Sequence, residues 1–275
     1  MRSHPEPRLA TAESGIRLAV AAGLAIAWRD VVKLIRDRPR LAVNLAFPVL
    51  LVAGLGSVLQ TTVGRVTGLD AVTLAFSGVL AATVFQSTAA GMISIVEDRE
   101  NDFSRELFVA PVPRLTLLAG KMAGESLVAL VQGGCVVVFA LLFGVNMSVG
   151  QLARMVPPCL LGCVLGGAFG LATVASLPNQ RSAMQIFQFL IIPQYVLGGV
   201  LVPVQGLPRY LDVLAWAMPM RYLVDLNRAA FYSGTSAYRL VVGAGPLIDV
   251  IVIAGLVAVL LPLGAIVYDR RERMR

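Results

Sequence analysis

A charged segment between two apolar runs holds the side chains most able to do chemistry in this chain. Acidic and basic residues alternate through residues 96–121. None of them is predicted to be catalytic, because no nucleophile–base pair and no metal-ligand set accompanies them. The chemistry that this pattern indicates is charge-paired docking on another protein. The charged residues are Glu97, Asp98, Arg99, Glu100, Asp102, Arg105, Glu106, Arg114 and Lys121.

The same segment predicts a short amphipathic helix over about residues 97–111. Phe103, Leu107 and Phe108 recur near helical spacing, and Pro111 ends the helix before the next apolar run. On the cytoplasmic surface, such a helix would insert its apolar side chains into a groove of a partner while its charges fix the register. From the residues alone, a solvated loop with ordinary i,i+4 charge pairs is the alternative.

The cysteines and the histidine do not form a metal or disulfide pattern. His4 is the single histidine and lies near the N-terminus, whereas all three cysteines fall inside apolar runs and are interpreted as small packing residues. The phosphate-binding sequence G-x-x-x-x-G-K-[ST] is absent, because Gly120 and Lys121 are followed by Met122. We expect no metal, no catalytic residue and no cofactor in this chain. The cysteines are Cys135, Cys159 and Cys163.

These features must be positioned by helices that cross a lipid bilayer. The chain is 57% apolar and only 14% charged, whereas an ordinary soluble domain has roughly 25% charged residues. A helix needs about 20 apolar residues to cross a bilayer, at about 1.5 Å of rise per residue. Six runs qualify and exclude a single soluble core; they lie at about residues 41–60, 70–95, 116–143, 156–177, 183–202 and 247–268.

The basic residues predict the orientation of these spans. Seventeen of the 23 Lys and Arg residues lie in the N-terminal segment, the 96–121 and 178–182 loops and the C-terminal tail, and six lie on the opposite side. Because basic residues are enriched in cytoplasmic loops, both termini of this multi-pass protein are predicted to be on the cytoplasmic side of the cell membrane. This asymmetry explains the net charge of +7, so nucleic-acid binding is not expected.

The two terminal segments are predicted to lie beside the membrane. Residues 1–14 are polar and form a flexible cytoplasmic tail, and residues 269–275 form a basic one. Residues 15–40 become amphipathic, which predicts a helix lying on the inner leaflet. A signal peptide ending at Ala27 is the alternative, but its cleavage would leave the basic residues at 29–40 on the wrong side.

The segment before the last span, residues 203–246, carries too many charges to face lipid. It also contains Trp216 and several leucines, so we expect it to enter the membrane partway from outside and return. Pro219 is expected to break it into two half-helices. Asp225 and Arg228 are three residues apart and are predicted to pair on one helix face.

Polar residues inside the spans have two interpretations. Gln86 and Thr88 of the second span, with Gln185 and Gln188 of the fifth, are candidates for a translocation pathway at a dimer interface. Interhelical hydrogen bonds, each worth on the order of 0.6 kcal/mol, explain the same residues equally well.

Two further patterns in the spans predict packing. Lys121 and Glu125 are four residues apart and are expected to form an ion pair within one helix. Small residues at every fourth position predict a close approach of two helices, and the glycines concerned are Gly162, Gly166 and Gly170.

Two stretches of this sequence together form a recognisable pattern. The first is E-D-R-E followed by R-E-L-F-V-A-P-V-P-R within residues 97–114, closed by the G-K at 120–121. The second is 198–234, which contributes Pro203, Pro208, Pro219, Tyr222, Asp225, Arg228 and Gly234. In order and in spacing they resemble the ABC-2 family of permeases, especially the daunorubicin-resistance type of exporter membrane subunit. The resemblance covers about residues 25–268.

The resemblance implies an all-α integral membrane protein. Its six transmembrane helices would form one domain over residues 41–268, preceded by the interfacial helix. A cytoplasmic coupling helix at about 97–111 and an external re-entrant helical hairpin at about 203–234 would complete it. It also implies a dimer of identical or paralogous permease chains on a dimer of separate ATPase subunits, which bind ATP and Mg²⁺.

The family assigns roles to residues of both stretches. The implied residues of the ATPase-coupling interface are Glu97, Arg99, Glu100, Phe103, Arg105, Glu106, Leu107, Phe108 and Pro111. Those of the external gate are Pro203, Pro208, Pro219, Tyr222, Asp225 and Arg228.

The implied function is export of an amphipathic substrate, a drug-like molecule or a lipid. An exporter of polysaccharide or glycolipid is the alternative, although aromatic residues for stacking sugars make up only 7% of the chain. An intramembrane enzyme is not expected, because the spans contain no histidine and, apart from Asp70 at the edge of the second, only Glu125 and Asp249 as acids. A scaffold or receptor without transport would not need both a cytoplasmic lever and an external cap.

Overall fold

Every regular element in the described part of the chain is helical. The computed structural model describes residue 32 and residues 38–64, 68–100, 114–204 and 208–273. Within these ranges there is no strand, which confirms the all-α class for them. The predicted tail at 1–14 lies outside the described residues, as does almost all of the predicted interfacial helix at 15–40.

Eleven α-helical segments and two π-helical segments follow one another along these ranges. In chain order they are α1 (Arg38–Val49), π1 (Leu50–Leu55), α2 (Gly56–Leu59), π2 (Gln60–Gly64), α3 (Ala71–Gly91), α4 (Ser94–Glu100), α5 (Arg114–Leu142), α6 (Val149–Val174), α7 (Gln180–Leu197), α8 (Arg209–Trp216), α9 (Pro219–Phe231), α10 (Tyr238–Val241) and α11 (Pro246–Arg273).

Side chains placed just before the helices explain several of these starting points. Asp70 accepts the N–H of Val72 at 3.1 Å and so begins α3. Ser148 and Gln151 form a reciprocal capping box at the start of α6. Each cap satisfies N–H groups that have no partner within the helix.

Four of the described helices are long and apolar enough to cross a membrane. They are Ala71–Asp98, Leu118–Leu142, Val149–Val174 and Tyr238–Arg271, and they overlap most of the second, third, fourth and sixth predicted spans. The first predicted span coincides with a shorter apolar helix, Leu45–Leu59. The fifth coincides with α7, whose glutamines lower its hydropathy.

The core of the bundle is built around α3. Of its residues, only Val72, Gln86, Ser87 and Ala90 are not buried. α3 packs against α5, α6 and α9, and α6 also packs against α9 and α11. In contrast, α11 exposes a row of large apolar side chains along its length, as expected for a helix that faces lipid.

The predicted close approach of two helices through small residues occurs between α3 and α6. A Cβ added to Gly166 would lie 2.4 Å from the carbonyl oxygen of Phe85, and one added to Gly170 would lie 2.4 Å from that of Ala89. Gly162 is likewise confined, but by Leu223 of α9. The prediction from the glycine spacing is therefore confirmed.

Candidate functional site

The described end of the predicted coupling segment is attached to the start of α7. Gln180 donates its backbone N–H to Glu100 Oε2 at 3.1 Å and its Nε2 to Glu97 Oε2 at 3.4 Å. A carboxylate is favoured at this place because the first N–H groups of a helix are unpaired and carry partial positive charge. Asn179 caps the same turn by accepting the N–H of Ser182 at 2.8 Å. α4 and α7 are thus joined by hydrogen bonds.

Only the first part of the predicted coupling helix is described. Its residues 97–100 are helical as part of α4. The side chain of Arg99 is not described, and the rest of the helix stays a prediction. The coupling residues that lie outside the described ranges are Phe103, Arg105, Glu106, Leu107, Phe108 and Pro111.

A buried ion pair lies beside the C-terminal end of α3. Lys121 Nζ is 3.6 Å from Glu125 Oε1 within α5, and both side chains are almost fully buried. Gly91 leaves space for the carboxylate, because a Cβ at that position would lie 2.1 Å from Glu125 Oε2. The predicted intrahelical ion pair is confirmed.

A helical hairpin lies at the opposite end of α7. Its two helices, α8 and α9, are separated at the break predicted for Pro219, which is the first residue of α9 and loses no hydrogen bond there. The Tyr222 hydroxyl donates to the carbonyl oxygen of Trp216 at 2.6 Å. Arg221 lies over the Trp216 ring, 4.2 Å from its centroid, and 3.5 Å from Asp212. Pro208 precedes α8 as its capping residue.

A glutamine of α7 caps the second helix of this hairpin. Gln194 accepts the backbone N–H of Met220 through Oε1 at 3.2 Å and donates Nε2 to the carbonyl oxygen of Leu190 at 3.3 Å. Its side chain is 2% exposed, so water cannot replace these bonds. The N-terminus of α9 is therefore fixed to α7 by a polar contact inside the bundle.

Arg228 makes a second connection between α9 and the end of α7. Its Nη2 donates to the carbonyl oxygens of Gly199 at 2.6 Å and Val200 at 3.2 Å. The chain turns there through Gly199, whose φ of +71° is costly for any residue with a Cβ. The neighbouring Asn227 donates to the carbonyl oxygen of Ser77 in α3 at 2.6 Å. α9 is thus held to two helices by buried hydrogen bonds.

The C-terminal end of α9 is held by the start of α6. Gln151 Nε2 donates to the carbonyl oxygen of Phe231, and Arg154 Nε donates to that of Ala230, both at 3.2 Å. The last carbonyl groups of a helix lack partners and carry partial negative charge, so a guanidinium is favoured there. Both ends of α9 are consequently fixed by side chains of other helices.

Asp225 closes the loop between α9 and α11. Its carboxylate accepts the N–H of Gly243 at 2.8 and 3.1 Å and the N–H of Ala244 at 2.8 Å. The Asp249 carboxyl, in the first turn of α11, lies beside that of Asp225. Asp249 is fully buried, and neither of its oxygens accepts a hydrogen bond from the described residues.

The predicted pairing of Asp225 with Arg228 is wrong. Among the described side chains these two form no ion pair within 4.0 Å, although both lie on α9. Each has a backbone partner instead: Asp225 binds N–H groups after α10, and Arg228 binds carbonyl groups after α7. Buried backbone N–H and carbonyl groups need partners, and these two charged side chains satisfy them with charge-assisted hydrogen bonds.

A small cavity lies between the turn after α7 and the loop before α11. Its volume is about 30 Å³, and Pro203, Asp225 and Arg228 are among its lining residues. Pockets for drug-sized ligands occupy roughly 300–1,000 Å³. This cavity is therefore too small for a substrate.

The four candidate pathway residues have different surroundings, and their part in a pathway stays a prediction. Gln185 and Gln188 are exposed on α7, and Gln86 accepts a hydrogen bond from the Tyr195 hydroxyl at 2.5 Å. Thr88 is buried in α3, where its hydroxyl donates to the carbonyl oxygen of Val84 at 3.1 Å. Two residues along a helix correspond to about 200° of rotation, so Thr88 and Gln86 point in nearly opposite directions.

Several residues of this site were not singled out by the sequence pattern. The sequence contains no signal for Gln180, which falls in the predicted 178–182 loop, or for Asn227, which lies in a half-polar segment. Gln194 lies inside a predicted span, where its position in the sequence does not indicate a partner. No group of three or more His, Cys, Asp or Glu side chains arranged to hold a metal ion occurs among the described residues.

Comparison with known proteins agrees with this architecture. The family model described as ABC-2 type transporter matches residues 22–232. The probable multidrug ABC transporter permease YbhR of Escherichia coli strain K12 is 26% identical over 146 residues, as is the protein of the same name from strain O157:H7. The alignment covers 52% of this chain and 39% of each relative, so the chain matches well under half of their length. Because the family model spans most of the chain, from before α1 to the end of α9, the chain belongs to the ABC-2 type transporter family.

Proposed function

We propose that this chain is the membrane-spanning subunit of an ABC exporter and that a separate ATPase subunit powers it. Family membership over residues 22–232 is the observation that carries the proposal. The substrate is an amphipathic molecule, drug-like or lipid, that moves outward across the cytoplasmic membrane. The names of the E. coli relatives, probable multidrug permeases, support the drug-like class. The subtype that the sequence resembles is the daunorubicin-resistance exporter.

The proposed domain over residues 41–268 has six spans with both termini in the cytoplasm. Besides the four long helices, the continuous helical run from Arg38 to Gly64 supplies the first span. α7 supplies the fifth, because its 18 residues reach about 27 Å at about 1.5 Å per residue, close to the hydrocarbon thickness of about 30 Å. The distribution of basic residues predicts that α4 and the start of α7 lie on the cytoplasmic side.

The coupling helix at 97–111 is the docking element for the ATPase dimer. Its charges and its three apolar side chains fit a groove on a soluble partner. ATP and Mg²⁺ belong to that partner, and Glu97, Glu100 and the residues that follow them transmit its motion. The attachment of Glu97 and Glu100 to Gln180 supports a mechanical role for this end of the bundle.

The exposed face of α7 meets a second copy of the permease, identical or paralogous, across the translocation pathway. Gln185 and Gln188 are exposed there beside Phe189 and Ile192. A glutamine directed at lipid leaves its amide without partners, which is unfavourable, so this face requires protein or water opposite it. Gln86 lies on the α7 side of α3, whereas Thr88 is better explained by helix packing.

The α8–α9 hairpin is the external gate. It is anchored at both ends of α9 and at Asp225, and it closes the outer end of the bundle near Pro203. Short helices and irregular backbone at membrane depth are tolerated when protein covers them, and α9 is largely buried between α3, α6 and α11.

Co-purification with an ATPase tests the proposal. The tagged chain is co-expressed with P-loop ATPases from the same organism and purified in nanodiscs. The mass of the purified complex is then measured by mass photometry. We expect a complex of two permease chains and two ATPase chains, which dissociates when Glu100→Ala and Arg105→Ala are combined. A folded chain that never retains an ATPase would contradict the proposal and favour a scaffold or receptor. Stimulation of the complex by glycans alone would favour a polysaccharide exporter.

A further inference from the structure

α7 is bonded at one end to the coupling segment and at the other end to the gate. At its first residue, Gln180 binds both Glu97 and Glu100. Near its last turn, Gln194 binds the N–H of Met220 at the start of α9. The helix is continuous between these contacts even though it contains Pro193. α7 therefore contacts both the coupling segment and the gate helix α9, the two regions that move in the proposed mechanism.

The packing of α7 permits it to move as a body. Its outward face is exposed along the whole helix at Met184, Ile186, Phe189, Ile192 and Val196. Besides the hydrogen bond from Tyr195 to Gln86, it has only modest contact with α3 and α6, whereas these two helices pack extensively against each other. A helix with few buried contacts can shift at low cost, whereas a close-packed core has to repack before it moves.

The alternative route from the coupling segment to the gate runs through α3. α3 leads directly into α4, but the two are separated by a turn at Met92 and Ile93. α3 is enclosed on nearly all sides, and it approaches α6 so closely that Gly166 and Gly170 have no space for a Cβ. It is consequently the fixed frame of the bundle.

We propose that α7 transmits displacement of the coupling segment to the external gate helix, with Gln180 and Gln194 as the positioning residues at its two ends. This inference rests on the proposed function. A displacement of Glu97 and Glu100 moves the N-terminus of α7 through their hydrogen bonds to Gln180. Because α7 is one continuous helix, its other end then displaces Met220 through the hydrogen bond from Gln194. The second half of α9 is held by Asn227 to α3 and by Arg154 to α6, so the displacement concerns the first turn of α9, which Gln194 binds.

Hydrogen–deuterium exchange in the permease–ATPase complex tests this role. Exchange is measured at α4 and at residues 219–223 in nanodiscs, without nucleotide and with ATP plus vanadate. The variants are Gln180→Ala and Gln194→Met, the latter replacing the amide by an apolar side chain of similar length. The matched control is Gln132→Met, a buried glutamine of α5, which packs mainly against α1, α3 and α6. An unchanged exchange pattern in the rest of the nucleotide-free chain verifies folding.

We expect vanadate trapping to change exchange at both regions in the wild type and in Gln132→Met, by at least about fivefold, the lower end of typical coupling between sites. In both test variants α4 still responds, but residues 219–223 no longer do. If Gln180 and Gln194 only stabilise the fold, the variants will show faster exchange at residues 219–223 without nucleotide but will keep the change on vanadate trapping. That result would overturn the inference. A wild type in which α4 responds and α9 does not also overturns it. If trapping changes exchange nowhere in the wild-type complex, the proposed function itself fails.

Discussion

Arg228 of α9 donates a hydrogen bond of 2.6 Å to the carbonyl oxygen of Gly199, just beyond the end of α7. The guanidinium is 3% exposed, and the same Nη2 also reaches Val200. Carbonyl groups at the end of a helix have no partner of their own, and a buried cation satisfies them well. This contact joins the gate helix to the helix that we propose as its lever.

Replacing Arg228 tests how strongly this connection between α9 and the end of α7 stabilises the fold. Arg228→Met keeps much of the apolar stem but leaves two buried carbonyl groups unpaired, at a cost of about 1–3 kcal/mol for each unsatisfied group. We expect the thermal unfolding midpoint in nanodiscs, followed by tryptophan fluorescence, to fall by several degrees. The exposed Arg209→Met should leave it unchanged. Equal midpoints for both variants would contradict this account of the contact.

Two neighbouring aspartates, Asp225 of α9 and Asp249 of α11, should respond differently to the loss of a carboxylate. Asp225→Asn weakens charge-assisted bonds to Gly243 and Ala244, so it should destabilise the protein by about 1.5–3 kcal/mol. Asp249→Asn removes a buried carboxyl without donors of its own and supplies an amide that can donate to Asp225, so the midpoint should stay equal or rise. Unfolding of both variants in nanodiscs checks this difference. A larger loss for Asp249→Asn would show that its carboxylate has a stabilising partner.

The α3–α6 contact should tolerate no added methyl group. Gly166→Ala or Gly170→Ala places a Cβ 2.4 Å from a backbone carbonyl oxygen, so the helices must separate. We expect a strongly reduced yield of monodisperse protein by size-exclusion chromatography. Gly255→Ala is the matched control, because no atom lies within 4 Å of the Cβ added there. Normal yield for all three variants would show that α3 and α6 have space for a methyl group between them and would contradict the close contact.

Much of the fold follows from the sequence because lipid imposes simple requirements. Runs of about 20 apolar residues specify the long helices, and the spacing of Gly162, Gly166 and Gly170 specifies a close contact. The break at Pro219 follows from its missing N–H and fixed φ. These features depend on local chemistry alone, and the structure contains the close contact, the break and four helices long and apolar enough to cross a membrane.

The partners of individual polar residues could not be predicted in the same way. Asp225 and Arg228 have a spacing that suits an ion pair, yet each binds backbone that is 18 to 29 residues away in sequence. Gln180 and Gln194 form their hydrogen bonds only because the first turn of α7 lies beside α4 and its last turn lies beside α9. Such partners depend on how the helices are arranged, which the local pattern does not encode.

The exposed face of α7 should be reachable by water-soluble reagents. In a chain whose native cysteines are replaced by serine, Gln185→Cys and Gln188→Cys should react with a membrane-impermeant maleimide in nanodiscs, because a translocation pathway contains water. Ile251→Cys and Val259→Cys, on the apolar face of α11, should stay unlabelled. Labelling of all four positions at one rate, or of none, would contradict the assignment of α7 to the pathway.

ATP hydrolysis by the assembled complex tests the central claim most directly. The rate is measured in nanodiscs for the ATPase alone, for its complex with the wild-type chain, and for its complex with Glu100→Ala plus Arg105→Ala. We predict that assembly with the wild-type chain changes the hydrolysis rate and that the double substitution returns it to that of the free ATPase. Hydrolysis that is identical in all three samples, with every permease chain folded, would contradict an ATP-driven exporter.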